Sequence, residues 1–269
     1  MSAAPGATEV PLAGTRVLVG RAAGQADELL DRIRRLGGVP VHAPLLEFGP
    51  GDQAALTHAV EDLEAEAFVA VCLTSPNGVH ALVDSIGSRE RAARLLGTVR
   101  IACVGPGTAR ALEERTGLTP WLVPARATTE SLARAFPEGS GRVLLPRADL
   151  ANPVLSEVLV QRGHDPVDVI AYRTSCPDRL PDGVLDALAE GEIDLLAFAS
   201  SSTVRNFVRL VGDQPWRARV VSIGPVTTAT CRWLGIDVAE EADPHDLDGL
   251  VAALVRAVAR ARDNYPRAQ

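Results

Sequence analysis

Short, continuous apolar runs recur along the chain: "RVLVG" (16–20), "AFVAVCLTS" (67–75), "VRIACVG" (99–105), "RVLLP" (142–146), "VDVIAYRT" (167–174), "DLLAFAS" (194–200) and "RVVSIG" (219–224). They are rich in Val, Ile and Leu and lack polar alternation, which is the pattern of strands buried on both faces of a parallel sheet. Helical patterns lie between them. In "ADELLDRIRRLGG" (26–38), Leu29, Leu30, Ile33 and Leu36 share one face, and the glycines predict the helix end. Strand–helix alternation of this kind predicts doubly wound α/β layers, whose ligands bind beyond the carboxyl ends of the strands.

The pattern repeats. "RVLVGRAAGQADELLDRIRRLGG" (16–38) aligns with "RVLLPRADLANPVLSEVLVQRGH" (142–164), pairing Arg16 with Arg142, Arg21 with Arg147 and Gly37 with Gly163 at an offset of 126. "VCLTSPNGVHAL" (71–82) aligns with "LAFASSSTVRNF" (196–207) read from its second residue, which sets Ser75 against Ser201 at the same offset. "IACVGPGTARAL" (101–112) aligns with "VSIGPVTTATCRWL" (221–234), pairing Gly105 with Gly224 and Thr108 with Thr227 at 119. Three matches in the same order point to an internal duplication. At 269 residues, two domains are the expectation.

The repeated polar motifs fall at predicted strand-to-helix turns. A helix start exposes unpaired N–H groups and the positive end of the helix dipole, so it favours anions. In "TSPNGV" (74–79) and "SSSTV" (200–204), the residues Ser75, Asn77, Ser201, Ser202 and Thr203 are placed to cap the helix, to contact a carboxylate, or to do both. Gly105 and Gly224 permit close backbone approach, Pro106 and Pro225 suit a first helical turn, and Thr108 and Thr227 bring hydroxyls nearby. Arg21 and Arg147 end matching strands, where an arginine either captures an anion or pairs with a structural acid. Tyr172, one of two tyrosines with Tyr265, stands beside a strand end as packing or as a proton donor.

Composition narrows the chemistry. All 27 basic residues are arginine, which removes a lysine Schiff base and a P-loop lysine. A net charge of −7 argues against general nucleic-acid binding while leaving room for a local basic patch. Cys72, Cys103, Cys176 and Cys231 lie far apart, so neither a disulfide scaffold nor a zinc site is expected. The histidines at 42, 58, 80, 164 and 245 are scattered and read as unrelated, and Glu61, Asp62, Glu64 and Glu66 read as a solvated helix face. No GxGxxG, Ser-His-Asp context or metal cluster stands out. No apolar run is long enough to span a bilayer, and the first residues read as a disordered lead-in to a cytosolic protein.

"VLLPRADLANPVLSEVLVQRGHDPVDVIAYRT", "AFASSSTVRNF" and "VVSIGPVTTATCRWLGIDVAEEADPHDLDGLVAAL" together closely resemble the uroporphyrinogen-III synthase family, over roughly residues 12–258. The resemblance implies two flavodoxin-like doubly wound domains joined by a two-stranded connection. The first would take residues 1–45 and 174–269, the second residues 46–173, with the site in the cleft between them. It implies cyclisation of hydroxymethylbilane, a linear tetrapyrrole with eight carboxylates: hydroxide leaves ring A and ring D is inverted. It implies no metal or organic cofactor, no nucleic-acid or membrane partner, a cytoplasmic location and a monomer.

Position by position, Tyr172 matches the family tyrosine that helps the hydroxyl depart, and Ser201, Thr108 and Thr227 fall in the family's turns. Ser75 and Asn77 lie in the equivalent turn of the other repeat, and Arg147 matches a basic residue of the cleft. One motif departs: the family's Thr-Arg-Pro is Gly20, Arg21, Ala22 here, leaving Arg21 as the contact at that turn. The alternatives are a same-fold paralogue cyclising or dehydrating another anionic substrate, and a ligand sensor. The sensor would need a DNA-binding domain, for which the "ARARDNYPRAQ" after the match is too short.

Overall fold

A computed structural model of the chain describes residues 10–264. The expected lead-in at the N-terminus and Tyr265 lie outside the described residues. The chain opens with β1 (Arg16–Val19), α1 (Asp27–Arg35) and β2 (Val39–His42). It continues through β3 (Glu47–Pro50), α2 (Gln53–Glu64), β4 (Phe68–Leu73), α3 (Pro76–Ile86), α4 (Arg89–Leu96), β5 (Arg100–Cys103) and α5 (Pro106–Thr116). Next come α6 (Thr129–Ala135), β6 (Gly141–Ala148), α7 (Val154–Gln161) and β7 (His164–Ser175). The last third supplies α8 (Val184–Ala189), β8 (Leu195–Phe198), α9 (Ser201–Val211), β9 (Arg219–Ser222), α10 (Pro225–Trp233), β10 (Val238–Glu241) and α11 (Leu247–Asn264).

These elements form two compact units. One comprises the described residues up to Glu47 together with those from Ser175 onward, and the other is Phe48–Thr174. The chain therefore passes between units twice, within β3 and at the end of β7. The first unit holds a sheet in the order β10-β9-β8-β1-β2, with every pair parallel. The second holds β3-β7-β6-β4-β5, in which β7, β6, β4 and β5 run parallel.

The continuous apolar runs are explained by burial on two faces. In β1, Val17 and Val19 pack with Leu29, Ile33 and Leu254 on one side, while Leu18 packs with Phe198 and Phe207 on the other. In β4, Phe68, Val71 and Leu73 face the cluster of α2, α3 and α5, and Ala70 and Cys72 face Leu132 and Leu155. Each fully buried Leu or Phe contributes about 2 kcal/mol from apolar area alone. The predicted face of α1 is the buried one: Leu29, Leu30 and Ile33 are buried and Leu36 packs at its margin. Gly37 (φ 80°) and Gly163 (φ 89°) take the left-handed conformation after α1 and α7, as the paired glycines predict.

Strand register aligns the two sheets residue by residue. Leu18 pairs with Val41 and Leu196, and Leu144 pairs with Val167 and Val71. Val71 then pairs with Ile101, as Leu196 pairs with Val220. The offsets of 126 and 119 follow at once for Leu18/Leu144 and Ile101/Val220. For Val71/Leu196, however, the offset is 125. Helix caps agree: Ser75 caps α3 and Ser200 caps α9 in the same extended conformation. The sequence pairing of Ser75 with Ser201 is thus one residue out of register. Ser75 corresponds to Ser200, and Asn77 to Ser202.

Candidate active site

At the carboxyl edge of the second unit, β4 delivers Ser75 to the start of α3. Its Oγ accepts the Gly78 N–H at 3.0 Å and lies 2.9 Å from the Tyr172 hydroxyl. Tyr172 comes from β7, where it pairs with Ala148, and its ring meets Phe48 edge-on with centroids 5.7 Å apart. Two residues singled out separately, 97 positions apart, are therefore one hydrogen-bonded pair.

Tyr172, Phe48, Asn77, His80 and Asp84 line a cavity of about 370 Å³ within this unit. Asn77, His80 and Asp84 follow one face of α3 at helical spacing. Arg115 of α5 reaches that face, donating to His80 Nδ1 at 3.1 Å and to Asp84 Oδ1 at 2.5 Å. A guanidinium only donates, so Nδ1 accepts and the ring proton of a neutral His80 sits on Nε2. The sequence reading set His80 aside as unrelated. Its signal was available as the i, i+3 step from Asn77.

Gly105 precedes α5, which no side chain caps, and Gly224 precedes α10, equally uncapped. Both have extended backbones that any residue adopts, so their requirement is space. A Cβ on Gly105 would come within 2.5 Å of Ala127 Cβ, and one on Gly224 within 3.2 Å of the His245 ring. Thr108 and Thr227 are buried, at 3% and 4% exposure. Next to Thr227, Thr228 donates to Glu241 and bonds the fully buried Ser222 at 2.6 Å, tying the start of α10 to β9 and β10.

Arg147 takes the structural role of the two open to it. Its side chain is 11% exposed. Nε pairs with Asp168 at 2.5 Å, Nη1 donates to Asn152 O at 2.8 Å and Nη2 to Ser156 Oγ at 2.8 Å. Ser156 in turn donates to Asp168 at 2.8 Å. All three nitrogens are engaged, so the expectation that Arg147 grips an anion gives way to a tie between β6, α7 and β7.

Arg21, its counterpart in the first unit, is different. Nε donates to the Gln25 carbonyl at 2.8 Å, and among the described residues no carboxylate forms an ion pair with it. Burial pushes its pKa below the ordinary value, with Glu28 partly offsetting the loss of solvent. It remains a cation, half-buried and without a paired acid.

In the serine run, Ser200 accepts the Thr203 N–H at 3.2 Å and Thr203 Oγ1 donates to Ser200 O at 2.6 Å. Ser201, expected to touch substrate, donates to Val226 O at 3.2 Å and accepts from Thr230 at 2.8 Å. Its hydroxyl joins α9 to α10. Ser202 is the exposed hydroxyl of the turn.

Burial disfavours the thiolate form of the cysteines. Burial raises Cys72 well above the usual range, Cys103 to about 12 and Cys231 to about 11, and also raises Cys176. No cluster of metal-ligating side chains occurs among the described residues.

A family model described as uroporphyrinogen-III synthase HemD matches residues 27–252. The chain belongs to the uroporphyrinogen-III synthase family. That is a family of lyases, and its matched span includes each candidate residue above except Arg21. The uroporphyrinogen-III synthase of Synechococcus elongatus is 33% identical over 258 residues, spanning 91% of this chain and 96% of that protein. The uroporphyrinogen-III synthase of Chlorobaculum parvum is 28% identical over 253 residues, spanning 91% and 98%.

Two solved structures share the fold. The uroporphyrinogen-III synthetase of Helicobacter pylori superposes with a TM-score of 0.62 at 16% identity, over 90% of this chain and 99% of that one. A mutant uroporphyrinogen III synthase of Thermus thermophilus gives 0.59 at 24% identity, over 92% and 100%. Within the uroporphyrinogen-III synthase family, then, this chain has the shared mixed α/β architecture of two parallel-dominated sheets.

Proposed function

We propose that the chain closes hydroxymethylbilane to uroporphyrinogen III, inverting ring D and releasing water, as a cytoplasmic monomer without metal or organic cofactor. The observation that carries the reading is the pair of uncapped helix starts at matched positions of both sheets, before α5 and α10. Backbone N–H groups there are suited to carboxylates, of which the substrate carries eight. Arg21, desolvated and without an ion-pair partner, takes a further carboxylate. Asn77, Ser202 and the Nε2 side of His80 complete the polar contacts, while Thr108 and Thr227 hold the turns.

Tyr172 donates its phenolic proton to the departing hydroxyl. The C–O electron pair goes to that oxygen, water leaves, and the pyrrole nitrogen supplies the electron pair that stabilises the methylene carbon. Ring closure later releases one proton from a pyrrole carbon, which returns to the phenolate. Holding a flexible, reactive chain so that one closure outruns another is mainly positioning.

The two sheets derive from a duplicated flavodoxin-like unit. In support, strand order and register match between them, and each sheet takes its β1/β2 or β6/β7 pair from one half of the chain and its remaining parallel strands from the other. The functional test is complementation of a haem-auxotrophic bacterial strain that lacks uroporphyrinogen-III synthase. Growth without added haem is expected. No growth, with folded protein present in the cells, would point to another anionic substrate.

A further inference from the structure

We infer that Ser75 is a positioning residue that donates its hydroxyl proton to Tyr172, so that the phenol is aimed, and polarised, as a proton donor. The inference rests on the proposed role of Tyr172. Ser75 Oγ accepts from Gly78 N–H at 3.0 Å and lies 2.9 Å from Tyr172 Oη. The direction of the Ser75–Tyr172 bond follows from where the protons can go. Were the phenol the donor, its single proton would be held by the serine and none would be left for substrate. With serine donating, every proton has a destination: Gly78 N–H to Ser75 Oγ, Ser75 O–H to Tyr172 Oη, and Tyr172 O–H to the ligand in the 370 Å³ cavity that Tyr172 lines.

Such a chain is cooperative, since each acceptor becomes a better donor. It begins at the positive end of α3, an 11-residue helix. As the phenolic proton moves to the departing hydroxyl, the charge left on Oη is met by a hydrogen bond already in place, without reorganisation. Phe48, edge-on at 5.7 Å, fixes the ring so that the hydroxyl direction is set by Ser75. The same serine caps the helix, so one side chain couples the placement of α3 to the placement of the acid.

The test separates the two jobs. Ser75→Gly keeps an acceptable cap, because glycine at that position costs a helix only a few tenths of a kcal/mol, and it removes the donor. Ser75→Asp keeps a capping oxygen and, as a carboxylate, can accept from but not donate to the phenol. In a Tyr265→Phe background Tyr172 is the single tyrosine, and the intensity ratio of its Raman ring doublet reads whether the phenol oxygen accepts or donates. We expect an accepting phenol in the parent, loss of that signature in both Ser75 variants, and a fall in kcat of about tenfold with KM within twofold. Combined with Tyr172→Phe, which alone slows turnover roughly a hundredfold, Ser75→Gly should add nothing further.

An unchanged Raman ratio, or a full further loss in the double variant, would overturn the role of Ser75 while leaving Tyr172 as the acid. Undiminished turnover in Tyr172→Phe alone would remove the tyrosine, and the serine's role with it.

Discussion

At Arg147 a guanidinium meets a carboxylate, a hydroxyl and a carbonyl, all from its own unit, and little of it reaches solvent. Its counterpart Arg21, two residues past the end of β1, donates through Nε to the Gln25 carbonyl and has no ion pair among the described residues. The two aligned arginines therefore differ, one a tie and the other an open cation. Arg147→Met should lower stability by about 2 kcal/mol, read as a lower urea midpoint, because it strands the Ser156–Asp168 pair. KM should change less than twofold in the folded fraction. An unchanged midpoint with a many-fold higher KM would return Arg147 to substrate binding. Both arginines were visible in the sequence as aligned strand ends. What separated them was not, since Asn152, Ser156 and Asp168 gather around Arg147 only when α7 packs beside β6 and β7.

The elements were more legible than the residues. Apolar runs located the parallel strands because two-sided burial leaves no polar alternation to mislead the reading. The paired glycines located the ends of α1 and α7 because a left-handed turn requires them. Register was harder. A run of three serines offers three equivalent caps to an alignment, and only the extended conformation at Ser200 and the pairing of Leu196 with Leu18 choose among them. The pairing of Ser75 with Tyr172 was out of reach for a different reason, since it depends on the register of β7 on β6, which shifts between Arg147 and Ala148 and sets Tyr172 beside Ala148.

At this scale the spacing of α5 from the loop after it can be tested. Gly105→Ala should cost about 1–3 kcal/mol in thermal unfolding, because the added Cβ overlaps the Ala127 Cβ, which is fixed to its backbone and cannot rotate away. Gly107→Ala, with nothing within 4 Å of its Cβ, should be neutral or slightly stabilising. Equal effects at the two positions would contradict close approach as the reason for Gly105.

For the whole molecule, two parallel sheets each present helix starts, an oxygen-rich turn and one feature the other lacks: Arg21 in the first unit, and the Ser75–Tyr172 pair in the second. Cys72, Cys103 and Cys231 contribute packing, with thiols held protonated by burial. The most direct measurement is the isomer formed when the purified protein is given hydroxymethylbilane, separated by chromatography after oxidation to the porphyrin. The type III isomer is the expected product. Formation of the type I isomer alone, at the rate of the spontaneous reaction, would contradict the account.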